Sequence, residues 1–134
     1  MISKIIYKGE LRTEAIHIES GNVIITDAPK DNQGRGGAFS PTDLVATALG
    51  SCMLTIMGIV AKRKSIDIDG SKAEIEKKMS KDPRRISEIC IKIYFAKPID
   101  KTNRELLERA AHTCPVSKSL NDELNEIIQF IYPQ

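Results

Sequence analysis

The stretch SPTDLVATALGSCMLTIMGIVAKRK, residues 40–64, decides how the rest of this sequence is read. Ser40 suits a helix N-cap, Pro41 the first helical position, and Asp43 puts a carboxylate at the positive end of the helix dipole. From there Leu44, Val45, Ala48, Leu49, Cys52, Met53, Ile56, Met57 and Val60 recur at i, i+1, i+4, i+5, one broad apolar face. The spacing predicts a long buried helix at the centre of the fold. No charged residue falls between Leu44 and Ala61, a length at which a membrane span becomes the alternative. Thr47, Gly50, Ser51, Cys52, Thr55 and Gly58 dilute the hydrophobicity, and small residues let other elements approach closely. A central helix in a globular domain is therefore expected, with no membrane partner.

Upstream, residues 1–30 alternate apolar and polar around Ile16 to Ile18 and run apolar through Val23, Ile24 and Ile25, with turn residues at Gly9 and Gly21. An antiparallel hairpin or meander follows from that pattern. Residues 31–39, DNQGRGGAF, hold three glycines and no apolar period, the composition of a surface loop. Downstream, Ile66 to Ile68 and Ala73 to Met79 read as a polar-rich strand, Ser80 to Arg84 breaks it, and Ile86 to Phe95 resumes the alternation. Two long antiparallel strands are expected there. Thr102 and Glu105 form a capping box for a second helix with Leu106, Leu107, Ala110 and Ala111 inward. The residue before proline avoids helical geometry, so Cys114 should end that helix and Pro115 should open a short third one, to about Leu120. Ile127 to Tyr132 reads as a final strand. The class is α+β.

At 134 residues the chain is near the common size of a single domain, and one domain over 1–134 is the expectation. Twenty Lys and Arg against eighteen Asp and Glu leave a net charge of +2, too little to steer the chain onto a phosphate backbone. With 4% aromatic residues and no Trp, the stacking platform of a single-strand binder is missing too, so no nucleic acid is expected as a partner. The first residues carry neither the continuous apolar stretch nor the cleavage site of a secretory leader, which points to the cytoplasm. Three cysteines make a poor secreted disulfide framework; in a reducing compartment they signal catalysis, redox sensing, metal binding or core packing.

Position separates the three. Cys52 alone, on the apolar stripe, reads as a small buried hydrophobe. Cys114 stands where one helix stops and another begins, near unpaired amides that would favour a thiolate. Cys90 alternates with Ile89 and Ile91 on a strand and reads as structural. His17 and His112 read as surface or packing residues, although His112 lies two positions before Cys114.

Three segments, GGAFSPTDL (36–44), ATALGSC (46–52) and HTCPVS (112–117), together resemble the OsmC/Ohr family of osmotically inducible and organic hydroperoxide resistance proteins. A cysteine eleven residues after Ser-Pro, with a second in Cys-Pro about sixty residues on, is a two-part signature, and the likeness covers nearly the whole chain. The resemblance implies an intertwined homodimer with curved antiparallel sheets around two long central helices and an active site at the subunit boundary. It implies that Cys52 attacks the peroxide and becomes a sulfenic acid, and that Cys114 resolves it as a disulfide. A dithiol, carried in related proteins as a lipoyl group on another protein, would reduce that disulfide. No metal, haem or other cofactor is implied.

A thiolate in mid-helix gains nothing from the helix dipole and calls for a nearby cation. Arg12 matches the position of the arginine that does this in similar proteins, with Arg35 of the glycine-rich loop in reserve. The family's peroxidases usually place a glutamate after the Ser-Pro to hold that arginine; here the position is Thr42, followed by Asp43. Asp43 is shorter and turned about 100° around the helix, so its reach is in question. The expected function is a thiol-dependent peroxidase reducing organic hydroperoxides, with hydrogen peroxide as a further substrate. The alternative is a non-catalytic dimer that binds a small hydrophobic molecule. A metal site from Cys52, Cys114 and a histidine ranks last, since no Cys-x-x-Cys or His-x-x-x-His spacing preorganises it.

Overall fold

Short period-two runs at the start of the chain pair into a three-stranded antiparallel sheet in the order β1-β2-β3, with β1 at Ser3–Gly9, β2 at Arg12–His17 and β3 at Val23–Asp27. The computed structural model describes residues 1–134, and these group into two compact units, Met1–Val45 and Ala46–Gln134. In the first unit, Glu10 and Leu11 turn β1 into β2 with positive φ of 52° and 63°, the twist that suits a tight hairpin. Arg12 and Asp27 face each other directly across β2 and β3. Thr26 and Asp27 are the strand residues buried here, while Ile5, Tyr7, Val23 and Ile24 lie exposed. The chain then runs through a 3-10 turn at Lys30–Asn32 and bridges back from Phe39 to Thr26 before entering the long helix.

That helix, α1, spans Pro41–Arg63. Ser40 caps its start as the sequence suggests, and the structure shows the capping to be reciprocal: the Asp43 amide donates to Ser40 Oγ at 3.0 Å and the Ser40 amide to the Asp43 carboxylate at 2.9 Å. Lys62 and Arg63 sit at its negative end. By length and composition the helix is apolar enough to cross a membrane.

In the second unit α1 buries Ala46, Leu49, Gly50, Met53, Met57 and Ala61. This line is narrower than the predicted stripe and rotated from it, with Val45 exposed and Cys52 only half-buried. A helix apolar on nearly all sides gives its neighbours no unique face to choose, so periodicity alone could not select the inner line. β4 (Lys72–Ser80) and β5 (Arg85–Tyr94) form the expected antiparallel pair, and Ile89, Ile91 and Ile93 of β5 are fully buried in the same core. Gly50 marks the close approach: a Cβ there would lie 2.5 Å from Ile75 Cδ1.

Two further expectations change. The second helix, α2, spans Lys101–Ala111, and its cap is Asp100, whose side chain accepts the Asn103 amide at 3.0 Å. Thr102 is thus inside the helix rather than capping it. Leu107, Ala110 and Ala111 are buried while Leu106 is half-buried. After α3 (Pro115–Ser119), β6 (Asn125–Ile131) joins β5 in parallel, which makes the second sheet mixed and not purely antiparallel. The physical reason is the connection: α2 and α3 carry the chain back to the end where β5 began, and a helical crossover delivers a parallel strand.

Candidate active site

Cys52 sits midway along α1, half-buried, and Cys114 is fully buried at the junction of α2 and α3. The junction is local chemistry. The Thr113 hydroxyl donates to the Ala110 carbonyl at 2.7 Å, closing α2, and Cys114 takes the extended ψ of 123° that a residue before proline prefers. The structure brings the two cysteines together, close enough for Cys52 to act on the ionisation of the Cys114 thiol. Burial first, and then interaction with the Cys52 side chain, raise the Cys114 thiol above its ordinary value, against a weaker pull from the Ser117 and Val116 amides. Ser117 Oγ donates to both carboxylate oxygens of Glu126 at 2.9 and 2.8 Å, which ties α3 to β6 beside the pair. Cys90 is half-buried on β5, in register with Glu76 and Ile127 and outside this pairing.

Within the first unit, Arg12 is the fixed cation. Its Nε and Nη2 donate to Asp27 Oδ1 and Oδ2 at 2.7 and 2.8 Å, a bidentate pair. Asp27 is 1% exposed, and it also accepts the Gly37 amide. A Cβ on Gly37 would stand 3.0 Å from Asp27 Oδ2 and 3.3 Å from Arg12 Nη2, so a residue without a side chain is what lets the backbone come this close. Arg35 pairs instead with Glu10 at 3.2 Å on the surface. Thr42 shares its hydroxyl with Ser40 Oγ at 3.2 Å, and Asp43 caps the helix as described. His17 hydrogen-bonds Ser20 in the turn after β2, and His112 lies exposed, edge-on to Phe130.

Asp27 is the functional-site candidate that sequence reasoning missed. An aspartate closing a strand looks like a turn residue, and only the cross-strand register sets it opposite Arg12. The Arg12 hydrogen bonds hold its carboxyl below the usual range, with charge from Arg12 and Arg35 and the Gly37 amide adding to them and burial opposing. A carboxylate whose folded pKa is depressed stabilises the fold above its unfolded value, near 4, and that stability is lost as pH falls through the folded value. In urea denaturation, the stability gap between the native protein and Asp27→Asn should therefore be full at pH 5 and narrow as pH falls to 3.

The sequence profile described as OsmC-like protein matches residues 34–127, a span that takes in both members of the cysteine pair. The chain belongs to the OsmC family. A crystal structure from Psychrobacter arcticus 273-4, of a protein assigned to the osmotic stress induced and detoxification response, is 51% identical over 99% of this chain and 96% of that one, with a TM-score of 0.92. Two more distant OsmC folds carry organic hydroperoxide resistance names. The Legionella pneumophila protein OsmC is 18% identical over 99% of this chain and 96% of its own, with a TM-score of 0.73. OhrB of Bacillus subtilis is 20% identical over 99% and 98%, with a TM-score of 0.65. At those identities the likeness establishes the OsmC fold alone. No protein of curated function matches the chain.

Proposed function

We propose that this OsmC-family protein is a two-cysteine peroxidase that reduces organic hydroperoxides, and hydrogen peroxide as well. The Cys52 thiolate attacks the terminal peroxide oxygen, the O–O bond breaks, and the alkoxide leaves as the alcohol once protonated, with Cys52 now a sulfenic acid. The Cys114 thiol then attacks that sulfur, forming the Cys52–Cys114 disulfide and releasing water. A dithiol, the lipoyl group of a partner protein in this proposal, restores both thiols by exchange. The observation that carries the reading is the fully buried Cys114 thiol set beside Cys52, raised above its ordinary value by burial first and by Cys52 next. A thiol kept as a thiol beside the nucleophile is a resolving group in waiting and does not compete for the peroxide.

Arg12 is the proposed cation for the Cys52 thiolate on the family resemblance alone; within its own unit its guanidinium is held by the buried Asp27 carboxylate and is still 31% exposed. A homodimer belongs to the same reading. Ile5, Tyr7, Val23 and Ile24 on the first sheet and Ile59 on α1 are exposed apolar side chains of the kind a second copy would cover. We place the protein in the cytoplasm, where dithiol donors are kept reduced. The test is one equivalent of an organic hydroperoxide added to the reduced protein, followed by peptide mass mapping. A rapid Cys52–Cys114 disulfide is the expected result; slow oxidation scattered over all three cysteines would leave the hydrophobic-ligand-binding dimer as the better account.

A further inference from the structure

We propose, resting on the two-cysteine reading above, that Glu126 is a positioning residue for the resolving step: through the Ser117 hydroxyl it holds the turn that follows Cys114 against β6. The first observation is a charge on the inward face of a strand. Along β6, Glu126, Ile128 and Phe130 alternate inward while Ile127 and Ile131 lie exposed. Glu126 is in register with the fully buried Ile89, and Lys77 of β4 takes the same row on the other side of Ile89. A carboxylate turned inward is costly unless it is hydrogen-bonded. Both its oxygens accept the Ser117 hydroxyl, at 2.9 and 2.8 Å, a charge-assisted contact. The second observation is where that bond attaches. Cys114 caps α3, and Ser117 stands three residues on, one helical turn away. α3 is five residues long, none of them fully buried, and it rests on the core through half-buried Val116 and, just past its end, Leu120. Apolar contacts are non-directional, so the Ser117–Glu126 bond supplies the direction. Resolution depends on that direction. The Cys114 sulfur must bond to the Cys52 sulfur as the S–O bond of the sulfenic acid breaks, the hydroxyl leaving as water with the thiol proton. A disulfide closes only with its two Cβ atoms about 3.5–4.5 Å apart. The Ser117 and Val116 amides, which favour the thiolate at Cys114, are carried by the same turn. Peroxide attack at Cys52, on α1, uses none of this.

The measurement separates the two steps. Reduced protein is mixed with one equivalent of cumene hydroperoxide, sulfenic acid on Cys52 is trapped with dimedone at set times, and the Cys52–Cys114 disulfide is counted by peptide mass mapping. Glu126→Ala should consume the hydroperoxide at the native rate and form the disulfide about tenfold to a hundredfold more slowly, so that dimedone adduct accumulates on Cys52. Ser117→Ala should do the same, and it serves if Glu126→Ala fails to fold. The double variant should be no slower than either single one, because the two residues act as one bond. Glu126→Gln keeps a side-chain oxygen to accept the hydroxyl and should recover most of the rate. Disulfide formation at the native rate in Glu126→Ala, with or without a lower denaturation midpoint, would assign Glu126 to stability alone and overturn the proposal. Equal slowing of both steps would overturn it too, while leaving the two-cysteine reading intact. If the native protein is not oxidised by the hydroperoxide, the peroxidase reading fails by itself, and the disulfide is then formed without peroxide by equilibration with oxidised glutathione. A smaller equilibrium constant in Glu126→Ala and Ser117→Ala than in the native protein upholds the positioning role; an equal constant overturns it.

Discussion

Cys52→Ser should abolish hydroperoxide consumption, while Cys114→Ser should still consume one equivalent per chain and then stop. The difference follows from the order of the two steps. Without Cys52 no thiol is placed for the reaction: Cys114 is fully buried and held protonated, and Cys90 lies on β5 outside the pair. Without Cys114 the first step survives, and the sulfenic acid that forms on Cys52 has no neighbouring thiol to condense with. It should be trapped by dimedone, whereas the native protein should form its disulfide before dimedone can react. In steady state with a dithiol donor, Cys52→Ser should show no turnover, and Cys114→Ser should retain only what the donor achieves by attacking the sulfenic acid directly. Equal peroxide consumption by the native protein and Cys52→Ser would place the chemistry elsewhere.

Leu107→Ala should lower the unfolding free energy by about 2–5 kcal/mol, the range for deleting a buried leucine side chain. Leu107 is fully buried in the core shared with Met53, Met57, Ile91 and Cys114. The cavity left behind would also loosen the helix that leads directly into the Cys114 junction. Denaturant midpoints would measure the loss, with Glu105→Ala on the exposed face of α2 as the control, expected within about half a kcal/mol of the native protein. A midpoint unchanged by Leu107→Ala would mean that α2 contributes little to the core.

The pieces of this molecule that were legible in the sequence are those with short-range causes. Ser40, Pro41 and Asp43 announce the start of α1, Gly9 and Gly21 the first two turns, and Cys114-Pro115 the break between α2 and α3, all from interactions within a few residues. The sequence points to a cap for α2 two residues late, because Asp100 with Asn103 and Thr102 with Glu105 offer overlapping patterns, and only Asp100 has the extended backbone that a cap requires. The direction of β6 had no local signature, since Ile127 to Tyr132 specifies a strand whichever way it pairs. The cysteine pair was legible through a family signature and not through spacing. Asp27 was hidden because its importance comes from register, a property of two strands at once.

The parallel pairing of β6 with β5 also bears on how the second unit can assemble. β4 and β5 are joined by a short turn and can zip together locally, but β6 reaches β5 only after the whole α2–α3 crossover has been threaded back. Closing that longer loop costs more chain entropy, and non-local pairings of this kind slow folding. Until it closes, the outer edge of β5 stands open beside Ile89, Ile91 and Ile93, the sort of edge on which other chains can nucleate. The helix that must lodge before the edge is covered is the one that leads into Cys114. Placement of Cys114 and sealing of the sheet thus depend on the same crossover.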